Sequence, residues 1–100
     1  MTDEIKSFDD LWNQAEKRSL QVNKNDSTEY IMKEIENICA DIRGIIEPLN
    51  ASANKILHKE EIQKSITNNL IGELLFMLTT ITARENVNIF SALKEHIDNL

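Results

Sequence analysis

The chain has 100 residues, a net charge of −6, 41% hydrophobic residues and only 5% aromatics. That length fits one domain and not two. The acidic balance, with no basic cluster, excludes a nucleic-acid backbone as partner, because phosphates are neutralised by Lys and Arg, and no run of about 18 apolar residues offers a membrane span.

Two glycines and one proline leave few turn positions, so strands joined by hairpins are disfavoured and helices with an aliphatic core are expected. Cys39 has no second cysteine to pair with, and the opening Met-Thr-Asp-Glu carries no apolar signal segment. A reducing, cytoplasmic setting is therefore expected.

A first helix is predicted from Ser7 to Leu20, with Ser7 as N-cap and Asp9 and Asp10 favoured by the helix dipole. Phe8, Leu11, Trp12 and Ala15 give it one apolar face. A polar connector, Asn23 to Ser27, follows. The second helix is predicted from Thr28 to Ile46, with Asp26 and Glu29 as a capping box. Ile31, Ile35, Ile38 and Ile42 form its stripe, and Pro48 is expected to end it.

Leu49 to Lys55 reads as a connector, and a third helix should run from His58 to Glu85. Ile62, Ile66, Leu70, Leu74, Met77, Leu78 and Ile81 keep the 3–4 spacing, while Ile71 and Leu75 widen the apolar arc. Such a helix is packed on more than one side, as a central helix or as part of a subunit interface. Asn88 then reads as the N-cap of a last helix, Ile89 to Asn99, with Ile89, Leu93 and Ile97 facing inward.

Several segments carry a family resemblance. They are Gly72-Glu73-Leu74-Leu75-Phe76-Met77-Leu78, then Ala83, then Val87-Asn88-Ile89-Phe90-Ser91-Ala92-Leu93, together with the opening Phe8-Asp9-Asp10-Leu11-Trp12. This pattern resembles the MazG-like all-α nucleoside triphosphate pyrophosphohydrolases. The resemblance implies a four-helix MazG-like bundle. It also implies Mg²⁺ held by carboxylates of two facing helices, in a Glu-Glu-x-x-Glu and a Glu-x-x-Asp pattern. Mg²⁺ takes oxygen ligands and bridges to substrate phosphates, and a metal-activated water can attack a phosphoanhydride.

Carried onto this chain, the first pattern falls on Lys33-Glu34-Ile35-Glu36-Asn37 and the second on Leu70-Ile71-Gly72-Glu73. Glu34, Glu73 and Asn37 become the metal ligands, with Lys33 and Leu70 standing where the family has acids. Asn69 and His96 become substrate-binding candidates, His96 lying near the position of a family lysine. No residue is assigned as catalytic.

The residues also admit plainer roles. Glu34 borders the isoleucine stripe, where a carboxylate paired with a neighbour is common. Glu73 lies between Ile66, Phe76 and Met77 on the helical wheel and is expected to be partly enclosed, so it needs a metal, a cation or a proton. Gly72 costs roughly 1 kcal/mol in a helix interior and is expected to permit close helix packing or, as the alternative, to let a ligand reach the backbone. His58 and His96 read as surface residues, and Cys39 as a buried or half-buried thiol.

Three functions stay open. One is a Mg²⁺-dependent nucleoside triphosphate pyrophosphohydrolase of weak or lost activity. Another is a non-catalytic module for self-association or protein binding. The third is an unrelated small helical bundle, such as an adaptor or a phage- or plasmid-encoded accessory protein. Dimerisation is expected in any case, because four short helices carry more apolar surface than one thin layer can hide.

Overall fold

A computed structural model describes residues 7–51 and 57–100, with side chains described for 7–46 and 61–100. It is all-helical over these residues: α1 Phe8–Val22, α2 Thr28–Ala51, α3 Leu57–Arg84 and α4 Ile89–Asp98. No helix among the described residues is long and apolar enough to cross a membrane.

The helix starts follow local chemistry. Extended Ser7 (φ −153°, ψ 168°) accepts from the Asp10 N–H through its side chain, and Asp9 and Asp10 meet the positive end of the dipole. The cap of α2 is Ser27, whose Oγ accepts from the Tyr30 N–H at 3.0 Å, and not the expected Asp26. Ser27 stands immediately before the first helical residue, where a side-chain oxygen reaches the third helical amide. Asn88 caps α4 as expected, its Oδ1 accepting from Ser91 N–H at 2.9 Å.

The largest departure from the sequence expectation is the end of α2. α2 continues through Pro48 to Ala51, so the expected connector from Leu49 begins inside the helix. Its remaining residues, 52–55, lie outside the described residues. The proline removes one backbone bond, to the carbonyl of Gly44 four residues back. Gly44 is exposed, and a Cβ there would meet nothing within 4 Å, so water can reach the orphaned carbonyl.

α3 ends in a Schellman turn. Val87 N–H bonds the Thr82 carbonyl at 2.9 Å, Asn86 N–H bonds Ala83 at 3.4 Å, and Asn86 is left-handed with φ 55°. Asn is the residue that tolerates this conformation best after Gly.

α3 is the central helix, packed against both α1 and α2, while α4 touches the rest of the chain far less. Arg84 at the end of α3 reaches Thr28 at the start of α2, so these two helices run antiparallel. The hydrogen-bond partners of α1 and its cap on α3 fall between Met77 and Arg84. α1 is therefore bonded to the last turns of α3.

The core is small. Among the described residues the buried apolar side chains are Trp12, Ile31 and Ile38, and sixteen large apolar side chains are exposed. Leu93 and Ile97, expected to face inward, are exposed at 58% and 56%. Cys39, next to the buried Ile38 but off its stripe, is exposed rather than buried.

Candidate functional site

What holds α1 to α3 is largely polar. Ser19, Asn23, Thr79, Thr80 and Thr82 are all buried, and a buried polar group must find a partner or cost free energy. Each finds one. Trp12 Nε1–H donates to Thr82 Oγ1 at 3.1 Å, and that hydroxyl lies 2.9 Å from the Glu16 Oε2 that accepts its proton. Indole, hydroxyl and carboxylate thus form a directional chain, which strengthens each bond in it. Thr79 Oγ1 lies 2.9 Å from Ser19 Oγ, and Asn23 Nδ2 donates to Thr80 Oγ1 at 3.0 Å.

Arg84 closes the same end of the molecule. Its Nη2 donates to the carbonyls of Asn23 at 2.9 Å and Asp26 at 2.6 Å, and its Nη1 to Thr28 Oγ1 at 3.2 Å. One guanidinium therefore pins the α1–α2 connector to the C-terminal end of α3, where a cation also suits the helix dipole.

Two concavities flank this joint. An open groove of about 510 Å³ lies between α1 and the α3–α4 turn, with Asp9, Asn13, Glu16 and Lys17 on one wall and Asn86 and Asn88 on the other. Its lining mixes charges and amides, and it includes the Thr82 hydroxyl with the Glu16 carboxylate that accepts its proton. A smaller cleft of about 230 Å³ is almost wholly apolar, lined by Phe8, Leu11, Ala15, Gly72, Leu75 and Phe76. A Cβ built on Gly72 would meet nothing within 4 Å, so this glycine does not serve close packing inside the chain, as had been expected. It leaves a notch in the cleft wall.

α4 presents the other unpartnered surface. Phe90, Leu93, Ile97 and Leu100 recur at spacings of three and four, which puts them on one stripe, and they are exposed at 59%, 58%, 56% and 89%. Its polar flank carries the Lys94–Asp98 ion pair at 2.8 Å.

The candidate ligands from the sequence are spread over different surroundings. Glu34 on α2 is half-buried, and it has no hydrogen bond or ion pair with any described residue. Asn37, Asn69, Glu73 and His96 are exposed. The enclosure expected for Glu73 is therefore absent. No group of three or more His, Cys, Asp or Glu side chains among the described residues could hold a metal ion.

Sequence reasoning missed the polar joint and the cleft. Thr79, Thr80 and Thr82 look like solvated positions until their partners on α1 are placed. The stripe on α4 was visible in its spacing, but its orientation was not. No family model, no curated protein and no solved structure matches this chain.

Proposed function

We propose that this chain is a helical self-association module, which works through the surface it shares with other copies and not through a catalytic centre. The observation that carries this is the exposed apolar surface: sixteen large apolar side chains exposed against three buried among the described residues.

Within α4 the exposed apolar side chains Phe90, Leu93 and Ile97 share one stripe, and a clustered apolar surface, unlike scattered single side chains, marks an interaction site.

Sedimentation equilibrium over a wide concentration range tests the proposal. A mass that rises from 11.5 kDa to a defined multiple is the expected result. A single-chain mass throughout would sink it.

Glu34 favours a second function, the Mg²⁺-dependent hydrolase of the MazG-like type. A half-buried carboxylate without a partner among the described residues is the environment in which a cation stabilises charge. Glu34, Asn37 and Glu73 would then hold Mg²⁺, with Asn69 and His96 toward the nucleotide. Mg²⁺-dependent release of pyrophosphate from nucleoside triphosphates, lost in Glu34→Gln, would establish it in place of the first.

A further inference from the structure

We infer that the self-association is a reciprocal exchange between two copies, in which the α4 stripe of each chain seats in the Gly72 cleft of the other. The inference rests on the self-association proposed above and specifies its contact surfaces.

The cleft and the stripe are complementary in chemistry. The cleft lining is apolar, formed by Phe8, Leu11, Leu75 and Phe76 around the Gly72 notch. Nothing of the chain itself lies within 4 Å of where a Cβ at Gly72 would stand. A glycine in mid-helix is unfavourable, and no internal contact explains this one. A knob from outside does. Phe90, Leu93 and Ile97 are such knobs, exposed on a short helix that touches the rest of the chain far less than α1 or α2 does.

Area decides for a second copy and for exchange. α4 has 10 residues, so a seam of α4 on α4 is only about 15 Å long. The α4 stripe together with the exposed cleft rim, Phe8, Leu11 and Leu75, presents on the order of 750 Å², close to the roughly 800 Å² that one partner contributes to a stable interface. Neither patch reaches that alone. Exchange uses both patches on both chains, which is the self-complementary arrangement that a two-fold axis requires. The polar flank of α4 carries its own ion pair, Lys94–Asp98, and so brings no unbalanced charge from that pair to the contact.

The test uses the full chain on a Cys39→Ser background. Chains carrying Gly72→Cys are mixed with chains carrying Leu93→Cys and oxidised. The expected product is the mixed disulfide dimer. Gly72→Leu, which fills the notch, is expected to weaken dimerisation at least tenfold while helicity is unchanged. Leu93→Glu should do the same from the other side, and since Leu93 is exposed its monomer still folds. Homodimers of Leu93→Cys without the mixed product would overturn exchange in favour of α4 against α4. A dimer indifferent to Gly72→Leu and Leu93→Glu would overturn this inference alone. A single-chain mass at every concentration would overturn it together with the self-association on which it rests.

Discussion

Trp12 and Thr82 lie seventy positions apart in the chain and are joined by a 3.1 Å hydrogen bond inside the joint between α1 and α3. The Thr82 hydroxyl accepts from the indole and also faces the Glu16 carboxylate at 2.9 Å. Thr82→Val keeps the shape and removes both bonds, leaving a buried indole N–H without an acceptor. The expected loss is about 1–3 kcal/mol, read by urea unfolding. The single tryptophan reports the same event by fluorescence. An unfolding midpoint equal to that of the parent chain would show that the bond contributes nothing.

Arg84 is expected to be intolerant even of lysine. Its fork spans two carbonyls and a hydroxyl, and an ammonium cannot reproduce that geometry. Arg84→Lys and Arg84→Ala should both destabilise the chain, the alanine by about 1.5–3 kcal/mol. Amide exchange over 23–28 should accelerate in both. Full stability in Arg84→Lys would contradict the role of the fork.

Asn86 gives a pair of substitutions with opposite signs. At φ 55°, Gly is free of strain and Ala is not. Asn86→Gly is expected to stabilise by a few tenths to about 1 kcal/mol, and Asn86→Ala to destabilise by about 1 kcal/mol. Thermal unfolding of the two variants checks the order, and the reverse order would exclude the left-handed turn.

The cap of α2 can be assigned in the same way. Ser27→Ala should cost about 1 kcal/mol, because it removes the acceptor for Tyr30 N–H. Asp26→Ala should cost less, since what Asp26 gives Arg84 is a backbone carbonyl. A larger loss for Asp26→Ala would return the cap to the capping box that its spacing with Glu29 suggests.

Salt should strengthen self-association. Each chain carries a net charge of −6, so two copies repel, and raising ionic strength from about 20 mM to about 500 mM screens that repulsion while leaving the apolar contact intact. Sedimentation should show a tighter dimer at high salt. Dissociation on adding salt would point to an interface held by ion pairs.

The four helices are legible in the sequence because aliphatic spacing, Ser7 and Asn88 are local signals. The centrality of α3 is legible too, in the width of its apolar arc. What the pattern conceals is which polar residues turn inward. Ser19, Asn23 and Thr80 become core residues only because α1 crosses α3 where their hydroxyls and amide meet, a tertiary fact without a periodic trace. Pro48 misleads for a related reason: one missing bond is tolerated where the carbonyl concerned is exposed. Of the candidate ligands, Glu34 is half-buried, at the border of the isoleucine stripe where its position puts it. Glu73 is exposed, because a helical wheel presumes a neighbour on every apolar side and does not say which side is left open.

The joint between α1 and α3 also sets the order in which the chain assembles. Its bonds link residues 54 to 70 positions apart, whereas α2 and α3 are successive in the chain and can pair as a hairpin from nearer contacts. Closing long loops is entropically expensive until a surface exists to receive them. α1 is therefore expected to dock last, onto a hairpin already formed, and to come away first when the molecule opens. Amides of α1 should lose protection in dilute denaturant before those of α2 and α3.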